Sequence, residues 1–114
     1  MGYLVYTPDG TYVVQIMRPH RPAFLGGDVL GGTAQENAAA IGGYIAYAGT
    51  YQVERDMVIH RVAISLFPNW VGGEQRRTVA WDGERLILTT PSLLTGGSSV
   101  THRLAWERVS RSDG

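Results

Sequence analysis

The dipeptide Asp82-Gly83 stands between two runs, Glu74 to Trp81 and Arg85 to Thr90, in which apolar and polar side chains alternate. A tight-turn signal flanked by period-two alternation specifies a β-hairpin, because only an extended chain sends successive side chains to opposite faces. Pairing across a two-residue turn sets Trp81 against Glu84, Val79 against Leu86, Arg77 against Leu88 and Gln75 against Thr90. The other face carries Arg76, Thr78, Ala80, Arg85, Ile87 and Thr89. The first face is the more apolar and is expected to point inward, which puts Gln75 and Arg77 on a buried wall.

Arg55-Asp56 repeats the arrangement between a run from about Ala46 to Glu54 and another from Val58 to Phe67. A two-residue turn here pairs Val53 with Val58, Tyr51 with His60, Gly49 with Val62 and Tyr47 with Ile64. That face is apolar except for two tyrosine hydroxyls and His60, while Glu54, Gln52, Thr50, Arg61 and Ser65 point the other way. On the last run, Val100 to Val109, the apolar parity is His102, Leu104, Trp106 and Arg108. The first hairpin joins Gly2–Tyr6 to Tyr12–Arg18 through Thr7-Pro8-Asp9-Gly10. Its turn length is ambiguous, so the inward set is either Gln15 with Met17 or Val14 with Ile16, and Gln15 and Met17 are carried forward as candidate ligand contacts.

Between the first two hairpins, Arg18-Pro19-His20-Arg21-Pro22 and the Gly-rich stretch to Gly32 read as loop. Thr33-Ala34-Gln35-Glu36 is a capping-box pattern that opens a short helix, stopped by Gly42-Gly43. Seven strands and one helix result. Sequential antiparallel strands joined mostly by short turns predict a mainly β, up-and-down barrel, a single domain over residues 1–114.

Composition removes several function classes. Ten acidic and ten basic residues balance, so nothing draws the chain electrostatically to nucleic acid or an anionic membrane. The absence of cysteine excludes thiolate nucleophiles and disulfides and agrees with the cytoplasm, and no apolar run has the length of a membrane span. All ten basic residues are arginine, so no lysine can form a Schiff base. His20, His60 and His102 are scattered without ligand spacing, and neither a metal nor a cofactor is expected.

An arginine and a histidine on buried faces are costly unless partners or a ligand satisfy them, which makes them candidates for function. His60 serves as a general base or a ligand partner, or else as a core histidine bonded to tyrosine. Arg77 anchors a carboxylate or polarises a carbonyl, or else forms an internal ion pair with Glu74 or Glu84. Tyr51 completes the catalytic candidates. Tyr47, Val62, Leu88, Trp81 and Trp106 would line the interior as apolar walls or simply fill it. Trp70, in the loop Pro68-Asn69-Trp70-Val71-Gly72-Gly73, could lid the mouth or cover a subunit contact.

Taken together, Gly2-Tyr3-Leu4-Val5-Tyr6-Thr7-Pro8-Asp9-Gly10, Gln15-x-Met17-Arg18-Pro19, Gly43-Tyr44-x-Ala46-Tyr47-x-Gly49-x-Tyr51, His60, Ser65-Leu66-Phe67-Pro68-Asn69-Trp70-Val71-Gly72, Gln75-x-Arg77 and Leu104-x-Trp106-x-Arg108 resemble the bacterial lipocalin-like domain family over nearly the whole chain. The resemblance implies a calyx-shaped barrel with a central cavity for apolar small molecules; some relatives of that architecture act as cyclases in natural-product pathways. Members usually begin with a further Gly-x-Trp strand, whose tryptophan in lipocalins packs on a last-strand arginine. Here that strand is expected to be missing, leaving Arg108 without its partner and two open edges that a homodimer would cover.

Two functions follow. The chain binds a small, largely apolar molecule, with Arg77, Gln75 and His60 fixing its polar end. Alternatively it is a cofactor-free cyclase or isomerase, with His60 moving a proton and Arg77 or a tyrosine hydroxyl stabilising oxyanion charge.

Overall fold

In the computed structural model, which describes residues 1–109, seven strands form one antiparallel sheet in the order β1-β2-β3-β4-β5-β6-β9. The strands are β1 (Gly2–Tyr6), β2 (Thr11–Met17), β3 (Tyr44–Glu54), β4 (Met57–Ser65), β5 (Glu74–Asp82), β6 (Arg85–Thr89) and β9 (Arg103–Trp106). A separate two-stranded hairpin, β7 (Leu93–Thr95) and β8 (Ser98–Val100), stands between β6 and β9. The helix α1 (Ala34–Gly42) links β2 to β3, and its capping box between Thr33 and Glu36 is formed in both directions. No described helix is long and apolar enough to cross a membrane.

Cross-sheet contacts show how strongly the sheet curls. The hydroxyl of Tyr6 on β1 lies 2.6 Å from Nε2 of His60 on β4. Those strands are separated by three steps, about 14 Å in a flat sheet. Tyr12 on β2 likewise reaches the carbonyl of Arg61 on β4, at 3.0 Å. The seven strands thus form a lipocalin-like barrel, and among the described residues its two edges, β1 and β9, do not pair with each other. The core sits on the concave side of β1 to β4, where Tyr12, Val14, Tyr47 and Val62 are buried beneath Leu4, Tyr6, Ile16, Tyr51 and Trp70.

Four local features differ from the sequence reading. In the first hairpin Gly10 adopts a φ of +93° and Tyr6 opposes Tyr12, so Leu4, Tyr6, Tyr12, Val14 and Ile16 share the inner face. Gln15 and Met17 therefore lie on the outer face, contrary to their expected role inside. At the β5–β6 hairpin Asp82 pairs with Arg85, so the turn is Gly83-Glu84. Gly83, with a φ of +62°, takes the first central position, where such turns favour a positive φ. The register moves by two residues, which preserves which side chains face in.

Between β3 and β4 a bulge at Ala48/Gly49 leaves Ala63 unpaired, so Ser65 opposes Tyr47, and Ile64 turns outward opposite Ala48. Glycine is required at the bulge: a Cβ on Gly49 would stand 1.9 Å from the carbonyl oxygen of Arg61. Finally, the run from Val100 to Val109 is not one strand. Val100 pairs with Leu93 in the small hairpin, whose turn glycines Gly96 and Gly97 both have positive φ, and only Arg103–Trp106 joins the main sheet.

Candidate functional site

The hairpin at Arg55-Asp56 forms as expected and sets Tyr51, His60 and Gln75 in one row across β3, β4 and β5, with Val58 and Arg77 in the next. His60 is 1% exposed. Its ring stacks on Tyr12 with centroids 4.2 Å apart, and its two nitrogens meet the Tyr6 hydroxyl at 2.6 Å and the Tyr47 hydroxyl at 3.4 Å. Burial, reinforced by the nearby Arg77 charge, holds the imidazole pKa down to about 4. His60 is therefore neutral at pH 7, with one nitrogen accepting and the other donating. Burial likewise pushes the Tyr6, Tyr12 and Tyr47 hydroxyls well above the usual phenol range, with Arg77 opposing the rise. The wall carries polar atoms but no charge.

Tyr51 spends its hydroxyl proton on the carbonyl of Thr7, 2.7 Å away, and so braces the first turn. Tyr6 and Tyr12 belong to the cluster and were not singled out from the sequence. The signal was there: a turn with glycine at its positive-φ position would have put Tyr6 and Tyr12 on the face of Val14.

Arg77 is buried, at 6% exposure. Its guanidinium donates to the Arg76 carbonyl at 2.8 Å and to Oε1 of Gln75 at 3.2 Å. Neither expected ion pair is present among the described residues. Glu74 is engaged by Arg61 and Arg76, and among the described residues no carboxylate stands within 4.0 Å of Arg77. The remaining inner positions of β5, β6 and β9 are apolar and less covered: Leu88 is buried, Leu86, Leu104 and Trp106 are half-buried, and Trp81 is 65% exposed. The indole N–H of Trp106 is buried without a hydrogen-bond acceptor among the described residues.

Trp70, in the 3-10 turn Pro68–Trp70 after β4, packs edge-on against Tyr47 with centroids 5.3 Å apart. Backbone bonds between Val62 and Gly72–Gly73 fold that loop back over β4, so Trp70 covers the core from within. The structure thus brings together His60, Tyr47, Tyr51, Val62, Trp70, Gln75 and Arg77. It sets Trp81, Leu88 and Trp106 further along the same face. Gln15, on the outer face, accepts a hydrogen bond from the Tyr44 hydroxyl. There a shallow apolar depression of about 300 Å³ lies over Val13, Ala46, Ala48, Ile64 and Leu66. Among the described residues no three His, Asp or Glu side chains are grouped to hold a metal ion.

A curled antiparallel sheet with aromatic residues over its concave face is the lipocalin-like arrangement, and the family of lipocalin-like domains matches residues 1–109. The chain belongs to that family. One relative of this lipocalin-like domain is the 4'-hydroxy-3'-methoxypropiophenone carrier protein of Aspergillus oryzae, 37% identical over 107 residues, an alignment covering 85% of this chain and 96% of the relative.

Proposed function

We propose that this lipocalin-like domain is a carrier that takes up a small, largely apolar aromatic molecule on its inner face, next to Arg77. The observation that carries the reading is the contrast between packed and accessible surface there. Around His60 the interior is filled, whereas Val79, Trp81, Leu86, Leu104 and Trp106 retain exposed apolar surface beside a buried guanidinium. Apolar walls with a few polar anchors are the usual composition of a small-molecule site. The carrier relative, named for an aryl ketone, supports the same class. Arg77 and Gln75 would fix the polar end, and Trp81, Leu88 and Trp106 would contact the ring.

The cyclase or isomerase reading finds less support. His60 has both ring nitrogens engaged by tyrosines and a pKa of about 4, which makes it a weak base with little access to a substrate. Calorimetric titration with 4'-hydroxy-3'-methoxypropiophenone tests the carrier reading. Saturable binding with the compound recovered unchanged is expected; no heat and no change in tryptophan fluorescence would overturn it.

We also propose a homodimer through the outer face of β1 to β4. Tyr3 and Val5 on β1, whose outer edge is unpaired among the described residues, and Ile64 and Leu66 at the end of β4 are exposed on that face. Sedimentation that finds a monomer at micromolar concentration would refute it.

A further inference from the structure

The inner face holds more hydrogen-bond donors than acceptors. Arg77 carries five N–H donors, and the bonds to the Arg76 carbonyl and Gln75, with a further contact to the Tyr47 hydroxyl, leave part of them free. Gln75 accepts from Arg77 through its carbonyl oxygen, which leaves its amide N–H groups as further donors. The Trp106 N–H adds another donor without an acceptor. Against these stands no carboxylate within ion-pair distance among the described residues, and the neighbouring His60, Tyr6, Tyr12 and Tyr47 are all neutral. A buried cation without a counter-charge carries a desolvation cost that an incoming anion relieves.

We propose that the ligand is held as an anion: a phenol conjugated to a carbonyl binds as its phenolate, with the negative oxygen on Arg77. The proposal rests on the carrier reading and adds the protonation state of what is carried. On binding, the phenol O–H bond breaks and its proton passes to solvent buffer, because His60 keeps its neutral form in the buried wall. The donor surplus explains why charge matters here. A neutral ligand would leave the guanidinium uncompensated, whereas a phenolate oxygen accepts a charge-assisted hydrogen bond from it. Delocalisation of the phenolate into the conjugated acyl carbonyl stabilises the anion and lowers the cost of ionising the phenol.

The phenolate absorbs at longer wavelength than the phenol, so the test is spectroscopic. 4'-Hydroxy-3'-methoxypropiophenone is titrated with pH in the presence and absence of excess protein, with its 4'-O-methyl ether as the ligand that cannot ionise. The bound phenol's midpoint is expected to fall by about one to three pH units, the range an adjacent opposite charge produces. Each unit corresponds to about tenfold tighter binding of the anion than of the phenol. Arg77→Met, checked for an unchanged melting transition, should return the midpoint to its free value or above, and Arg77→Lys should keep part of the shift. Saturable binding with an unmoved midpoint, or a shift that survives in Arg77→Met, would overturn the anion proposal while leaving the carrier reading standing. If neither the phenol nor its ether binds, the carrier reading itself falls.

Discussion

Two walls face the same interior and treat polar groups in opposite ways. Along β1 to β4, the hydroxyls of Tyr6, Tyr12 and Tyr51 and both nitrogens of His60 find partners within the protein, and the aromatic rings exclude water. Along β5, β6 and β9, Arg77 has no counter-charge and the Trp106 N–H no acceptor among the described residues, and Trp81 stands largely exposed. The first wall is complete without a ligand; the second is not. On the carrier reading proposed above, stability and binding fall to different strands of one sheet, since a site needs unsatisfied groups and the fold needs satisfied ones.

Loss of an aromatic anchor should affect the two walls most unequally. Tyr12→Ala removes a fully buried ring and should lower unfolding free energy by about 3 to 5 kcal/mol in denaturant titration. Trp106→Ala on the incomplete wall should cost less than half of that. Equal losses would mean that both walls are structural.

Acid should act next most strongly, and through the first wall. Because the folded pKa of His60 is depressed to about 4 from the ordinary 6.5, the unfolded chain binds the proton first as pH falls. The stability is fully present above about pH 6.5 and is lost on acidification toward about pH 4, by about 3 kcal/mol at the full shift. Chemical denaturation across that window should show the loss, and His60→Gln should flatten it.

Tyr6→Phe sharpens the contrast at a single atom. It deprives the imidazole of its 2.6 Å partner while keeping the ring, and should cost about 1 to 3 kcal/mol. The smallest effect on stability belongs to Arg77→Met, which removes an uncompensated cation and should leave the melting temperature unchanged or raise it, even as ligand affinity falls. A marked fall in melting temperature would show that Arg77 belongs to the structural wall.

The pairing of Tyr51 with His60 was legible because a two-residue turn at Arg55-Asp56 fixes it, whereas the place of Gln75 beside His60 depends on the β4–β5 register, which no turn signal gives. The placement of Arg77 survived a register error at Gly83, since a shift of two residues does not change which way a side chain points. Tyr6 and Tyr12 escaped because Thr7-Pro8-Asp9-Gly10 can close in more than one way, and that choice decides between Val14 and Gln15 as the inward residue. Ser65 and Ile64 were exchanged because a bulge leaves no mark in the alternation; it depends on the close approach of the Gly49 backbone to Arg61. The lack of a counter-charge at Arg77 was invisible for another reason. Glu74 is three residues away in sequence, yet it turns to Arg61 and Arg76 on the outer side.

The unpaired Ala63 at that bulge acts on β4 like a one-letter insertion in a line read two letters at a time. Downstream of it the serine is turned in and the isoleucine out. Deleting Ala63 would close the bulge and keep Ile64 outward and Ser65 inward, whereas pairing Ala63 regularly would exchange them. One surplus residue therefore decides on which side of the sheet the greasy patch lies.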